Sequence, residues 1–209
     1  IGVLALGHNH KRIIDVERKF QDLNIIDTQK FGPNKLQAAL AYNLSQLLPE
    51  DLEVSFFAVS GAESVEAAIK LSTMAKDNGA KYFISAIEGY HGKTLGALSL
   101  TDTENFSEGF HVGLPKENTK KIEYNNIQAY KDIIAKLSKE KIIAIIIEPI
   151  QGQIVEVAKK DYLKEICAIS KKNNITVIFD EIKCGLGRSG NLFSFFDHEC
   201  VPDIVTTSK

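Results

Sequence analysis

Lys141-Ile-Ile-Ala-Ile-Ile-Ile-Glu148 decides the fold class. Six apolar residues run without alternation and stop at a carboxylate. A strand at a sheet surface alternates apolar and polar; one apolar on both faces belongs in the middle of a parallel sheet covered by helices. The run is far shorter than the roughly 20 residues a membrane helix needs. Glu148 then falls at the carboxyl end of a central strand, where sheets of this class bind their ligands.

Outward from this strand, helices and strands alternate. Upstream, Lys11–Leu23 and Asn34–Leu47 read as helices, the second with Leu36, Leu40, Leu44 and Leu47 at helical spacing and Pro49 beyond its end. Val54–Val59 reads as a strand, Ala62–Lys76 as a helix, Lys81–Ile87 as a strand, and Thr94–Leu100 as a short helix of small residues. Leu114–Tyr124, with Pro115 and scattered charges, reads as irregular, and Ile127–Ser138 as a helix. Downstream come a helix at Asp161–Lys172 and strands at Ile175–Phe179 and Asp203–Thr207. The alternation predicts an α/β protein, three-layered αβα with a mainly parallel sheet.

Composition bounds the partners. The 209 residues carry 44% hydrophobic and 25% charged side chains, values of an ordinary globular protein. A net charge of −2 gives no pull towards nucleic acid or an anionic membrane. Cys167, Cys184 and Cys200 form no C-x-x-C pair, and Ile1–Leu6 has no basic leader or cleavage-type site. Reduced thiols and a cytoplasmic location are the expectation.

The chemistry-bearing residues gather at predicted strand ends. Ser60-Gly61-Ala62 joins a strand to a helix, where glycine allows close approach and free helix amides suit a phosphate. The same residues also read as a capping box of Ser60 with Glu63. Tyr90 and His91, between Gly89 and Gly92, offer an aromatic ring to a flat heterocycle or a plain buried tyrosine. Asp180 and Glu181 end a strand, where a carboxylate needs a partner such as a pyridinium nitrogen, a magnesium ion or an arginine. Lys209 becomes a nucleophile towards an aldehyde if its pKa is lowered, and is otherwise a solvated lysine. Gly185-Leu-Gly187-Arg-Ser-Gly190 spells a dinucleotide fingerprint but lies five residues past its strand and lacks the helix and acidic partner that the motif needs. His8 and His10 have no third metal ligand at useful spacing, so no metal is expected.

Five blocks carry a resemblance. They are Ala5–His10; Phe56–Leu71, which contains Ser60-Gly61-Ala62-Glu63; Tyr90–Thr101; Ile147-Glu-Pro-Ile-Gln-Gly152; and Phe179–Gly190 with Pro202–Lys209. In this order they resemble the class III, or ornithine-type, pyridoxal-phosphate aminotransferases of fold type I, nearest in flavour to the putrescine and omega-amino acid branch. The resemblance implies that Lys209 holds the cofactor aldehyde as a Schiff base and moves the substrate proton. It implies that Asp180 pairs with the pyridine nitrogen, that Gly61 and Ala62 give amides to the phosphate, and that Tyr90 stacks on the ring. His91 belongs to the same motif without an assigned step, and Glu148 to the polar wall of the cofactor site. It further implies amino transfer from a primary amine or omega-amino acid to a 2-oxo acid, 2-oxoglutarate above all, in a homodimer. An aminomutase or decarboxylase on the same scaffold, or a non-catalytic remnant, carries the same motifs.

Two positions depart from the family pattern. Lys183 stands where the family has a glutamine near the cofactor's phenolic oxygen. There it either alters the Schiff base pKa or swings to solvent. Gln153 stands where ornithine-type relatives have a glutamate that gates the substrate carboxylate. The resemblance covers about the first half of the family's chain. The expected division is a helical segment over 1–50 and a cofactor-binding large domain, partial, over 51–209. The small C-terminal domain is expected to be missing from these residues.

Overall fold

The computed structural model describes residues 2–24, 34–76, 79–109 and 113–209. The expected 1–50 segment therefore includes residues, 1 and 25–33, that lie outside the described ones. The described residues divide into two compact units: those up to Phe57 together with Lys209, and Ala58–Ser208.

In the first unit, α1 (Lys11–Asp22) and α2 (Lys35–Leu47) match the predicted helices. The Asn34 side chain caps α2, accepting from the amides of Leu36 at 2.9 Å and Gln37 at 3.2 Å. A 3₁₀ turn at Glu50–Leu52 follows. The strand expected at Val54–Val59 is corrected. Its residues join no ladder among the described residues, and Val54 and Val59 are 94% and 95% exposed. Strand propensity expresses fit to a half-buried neighbour, and here the backbone finds none.

The second unit is built on five parallel strands: β1 (Tyr82–Ala86), β2 (Thr119–Ile122), β3 (Ile142–Ile147), β4 (Thr176–Asp180) and β5 (Ile204–Thr206), in the order β2-β1-β3-β4-β5. The α/β class and the parallel sheet match the reading of Lys141–Glu148: all six residues of β3 are buried, between β1 and β4. α3 (Gly61–Met74) and α4 (Leu95–Leu100) pack on the sheet. Val65, Ala68 and Ile69 of α3 and Ala97 and Leu100 of α4 share a core with Phe83, Ile143, Ile146 and Ile178. A short α5 spans Glu104–Ser107. α6 (Ile127–Leu137) and α7 (Lys160–Lys172) pack on each other, and the Tyr130 hydroxyl and Ser170 Oγ meet at 2.7 Å between them. Ile178 belongs to the α3 core, so its neighbours Val177 and Phe179 point away from it.

β2 overturns the irregular reading of Leu114–Tyr124. Thr119-Lys-Lys-Ile122 pairs with β1 alone, at the sheet edge. Lysines on an edge strand discourage further pairing, and the same lysines hide the strand from an apolar pattern. Lys121 is nevertheless drawn in: its Nζ donates to Ser85 Oγ at 2.9 Å and to the Leu100 carbonyl at the end of α4. Burial pulls its pKa down to about 8, against the attraction of Asp102.

The chain order positions the site. β1 turns one way to β2, and β3 returns to its other side. The order of the strands thus reverses between β1 and β3, and a crevice opens there beyond their carboxyl ends.

Candidate active site

Three loops meet at that crevice, and small residues let them touch. A Cβ on Gly61, at the start of α3, would lie 2.9 Å from the Ile182 side chain. A Cβ on Gly92, whose φ is +126°, would lie 2.7 Å from the Ala62 Cβ. Glycine at both positions lets the loops after β1 and β4 close on the N-terminus of α3.

That N-terminus is capped on one side and open on the other. Ser60 Oγ accepts from the Glu63 amide at 3.2 Å, and Glu63 reaches back to the Val59 amide at 2.8 Å rather than to that of Ser60. This is the capping box, displaced by one residue. The amides of Gly61 and Ala62 have no hydrogen-bond partner among the described residues. Two free donors backed by the helix dipole suit an anion.

His91 and Asp180 come together at the bottom of the crevice. His91 Nδ1 lies 2.8 Å from Asp180 Oδ2, and both side chains are buried. Asp180 Oδ1 accepts from the Ile182 amide at 3.1 Å. His91 Nε2 is buried with no partner among the described residues, beside Gly89, where an added Cβ would lie 3.3 Å from it. The His91 amide bonds Thr101 Oγ1 at 2.9 Å, which fixes the ring's base.

Glu148 bridges the crevice from the end of β3. Its Oε2 accepts from the Tyr90 amide and its Oε1 from the Gly152 amide, each at 2.8–2.9 Å. Burial pushes its carboxyl up to about 7; His91 opposes the rise and Asp180 adds to it. The Tyr90 ring stands edge-on to Phe106 at 5.8 Å. Glu181, the other half of the acidic pair, points away: its Oε1 accepts from the Phe195 amide at 2.8 Å and its Oε2 from the Cys184 thiol at 3.2 Å.

Lys183 is half-buried, and its Nζ donates to the Gly152 carbonyl. It thereby pins the turn that carries the exposed Gln153. Gln151, Lys183 and Arg188 line a cavity of about 200 Å³ beside this turn. The second unit thus brings Gly61, Ala62, Tyr90, His91, Glu148, Asp180 and Lys183 to one end of the sheet. Lys209 groups with the first unit, three residues along the chain from the end of β5. Sequence reasoning gave His91 no step and missed its bond to Asp180. Nothing in the linear spacing of these two residues signals it.

A family model described as aminotransferase class-III matches residues 1–209. The acetylornithine aminotransferase of Methanocaldococcus jannaschii is 36% identical over 216 residues, spanning 100% of this chain and 52% of its own. The putrescine aminotransferase of Pectobacterium atrosepticum is 34% identical, with 100% and 45% covered. A thermostable (S)-enantioselective omega-transaminase from Thermomicrobium roseum superposes with a TM-score of 0.88 at 28% identity, over 97% of this chain and 50% of the other. The ornithine aminotransferase of Toxoplasma gondii, whose active site holds pyridoxal phosphate at partial occupancy, superposes at 0.83 and 25% identity, over 98% and 48%. The chain spans about half the length of the curated relatives it matches.

Proposed function

Since this chain belongs to the class-III aminotransferases, we propose that the whole protein is a pyridoxal-phosphate-dependent transaminase. It moves an amino group from a primary amine or omega-amino acid to a 2-oxo acid, 2-oxoglutarate in the first place. The names of the acetylornithine and putrescine enzymes support the donor class, because both substrates present a primary amine on an alkyl chain. The observation that carries the reading is the buried Asp180–His91 pair, set against the open amides of Gly61 and Ala62.

The residues present fit the cofactor. The bound cofactor supplies an aldehyde that stores the amino group and a ring that accepts electrons. The amides of Gly61 and Ala62 bind its phosphate. Asp180 receives the pyridine N–H, and its negative charge keeps that proton in place. His91, with its proton on Nδ1, donates to the same carboxylate and holds it in orientation. Tyr90 covers one ring face. Glu148 fixes the Tyr90 backbone and shapes the wall beside Gly152. Lys209 is the amine that anchors the cofactor and takes and returns the proton at the substrate's amine-bearing carbon. The working form is a homodimer in the cytoplasm.

Borohydride reduction of the full-length protein with pyridoxal phosphate, followed by peptide mass spectrometry, tests the assignment. A phosphopyridoxyl group confined to Lys209 is expected. A label on Lys183 alone would move the chemistry there, and no label would overturn the cofactor reading. Glutamate formation from 2-oxoglutarate across a panel of diamines, N-acetylornithine and omega-amino acids then identifies the donor. Carbon dioxide release without glutamate would mark a decarboxylase instead.

A further inference from the structure

The cavity of about 200 Å³ lies between the turn after β3 and the loop after β4. Ile150, Val155 and Cys184 give it apolar walls, and Lys183 and Arg188 bring two positive charges to it. No carboxylate is among its lining residues. The acids that end the two strands are occupied elsewhere: Glu148 by the amides of Tyr90 and Gly152, Glu181 by the Phe195 amide and the Cys184 thiol. The turn is held in shape. The Gln151 amide donates to the Glu156 carbonyl at 2.8 Å, and the Val155 amide to the Gln151 carbonyl at 3.0 Å. The Gln151 side chain donates from Nε2 to the Ile87 carbonyl, just past β1, at 2.8 Å.

The opposite wall is the glycine-rich Gly185–Gly190, which has no part in the cofactor chemistry above. Gly187, with φ at +89°, turns the chain just before Arg188. Its amide donates to the Leu192 carbonyl at 3.1 Å, and the Gly190 amide returns to the Gly187 carbonyl at 3.2 Å. Ser189 Oγ meets Ser194 Oγ at 2.8 Å, and buried Ser194 donates to the Cys184 carbonyl at 3.1 Å. The backbone around Arg188 is thus tied down on both sides. Its guanidinium has no hydrogen bond or ion pair among the described residues. Lys183 spends one of its three protons on the Gly152 carbonyl. A free guanidinium fork, backed by a second cation and apolar walls, matches a carboxylate on an alkyl chain.

We propose that this cavity is an acid subsite: Arg188, with Lys183 as the second cation, takes the carboxylate at the far end of a substrate chain, of the amino donor or of the 2-oxo acid. The proposal rests on the transaminase reading and narrows it, because the same two cations turn away the second ammonium of a diamine. Size agrees. A water takes about 30 Å³ of the liquid, so the cavity has room for roughly six groups of that size, a carboxylate and a short alkyl segment. Ile150 and Val155 cover the segment. The feature that would suit an ammonium is Gln151 Oε1, buried without a partner among the described residues. It is a neutral acceptor, and two full charges in the same cavity outweigh it.

The test uses the full-length protein with its cofactor. Pentanoate, an acid with no amine to react, is titrated calorimetrically into wild type and Arg188→Gln. Binding to wild type is expected, weakened about tenfold or more in the variant, the scale of one charge-assisted hydrogen bond. Each half-reaction is then followed by cofactor absorbance: 5-aminopentanoate against pentylamine and cadaverine as donors, 2-oxoglutarate against 2-oxopentanoate as acceptors. Arg188→Gln should lower the kcat/KM ratio of the acid-tailed substrate to its neutral counterpart by about tenfold or more, and the half-reaction in which the ratio moves names the source of the carboxylate. Arg188→Glu should raise cadaverine relative to 5-aminopentanoate. Unchanged ratios and unchanged pentanoate affinity in Arg188→Gln would overturn the proposal, as would a wild-type preference for cadaverine. Pentanoate binding that depends on Arg188 without any half-reaction would uphold the subsite and remove the transaminase reading instead. If the variants fail to fold, the wild-type order of 5-aminopentanoate over cadaverine decides.

Discussion

His91 Nδ1 and Asp180 Oδ2 lie 2.8 Å apart with both side chains buried, so the carboxylate at the end of β4 is held by a residue from the loop after β1. A buried charge that loses its partner costs far more than the pair contributes. His91→Phe leaves Asp180 with the Ile182 amide as its remaining partner and should lower stability by about 3 kcal/mol in urea denaturation of the full-length protein. Asp180→Asn keeps the shape and one acceptor but loses the charge. It should unfold closer to wild type while kcat falls by about a thousandfold or more, the scale of losing a preorganised charge at the reacting group. An Asp180→Asn enzyme that retains wild-type kcat would remove Asp180 from the chemistry.

Glu148 makes stability depend on pH in a defined window. Its folded pKa of about 7 exceeds the ordinary 4.5, so between these values the folded state binds more protons than the unfolded chain. Its contribution therefore falls as pH rises through the window. Glu148→Gln should flatten the stability profile between about pH 4.5 and 7 relative to wild type, measured by denaturant midpoints across that range. Parallel profiles for the two proteins would place the proton elsewhere.

Lys121 has the opposite sign. With its folded pKa at about 8 against an ordinary 10.5, the unfolded chain binds more protons between these values. The penalty of holding the charged amine at the end of α4 is complete below about 8 and is relieved as pH rises towards 10.5. Lys121→Met should remove that rise in a thermal-melting series. An unchanged slope would mean that the amine keeps its ordinary pKa in the fold.

Glu66 of α3 caps α4 from outside. Its Oε1 accepts from Thr94 Oγ1 at 2.6 Å, from the Gly96 amide at 2.8 Å and from the Ala97 amide at 3.1 Å. Glu66→Ala should cost about 2 kcal/mol, the scale of a lost charged cap. A methyl on Gly96 would overlap the Glu66 carboxylate, so Gly96→Ala should cost a similar amount. The two changes act on one contact, and the double variant should lose clearly less than the sum in a double-mutant cycle. Additive losses would separate them.

What the sequence revealed and what it hid follow one rule: features written locally were legible. The unbroken Ile142–Ile147 announces a central parallel strand, and Ser60 with Glu63 announces a helix start. Features that depend on a remote partner were not. Thr119–Ile122 is a strand because β1 lies beside it, although two lysines mask it. Val54–Val59 has strand composition but no ladder among the described residues. His91 has a partner only once β4 has brought Asp180 beside it, and Lys183 turns to the Gly152 carbonyl, which no spacing rule foretells.

The bonds that define the pocket join chain positions far apart: Tyr90 to Glu148 across 58 residues, and His91 to Asp180 across 89. Contacts of such separation form late, because the loops they close cost entropy before they give anything back. In a refolding experiment the full-length protein should regain its far-ultraviolet circular dichroism before it gains the absorbance of bound cofactor. Simultaneous recovery would mean that the crevice forms with the sheet. The two glycines that let the loops meet, Gly61 and Gly92, thus bear on when in the life of a new chain the crevice closes, as well as on its final shape.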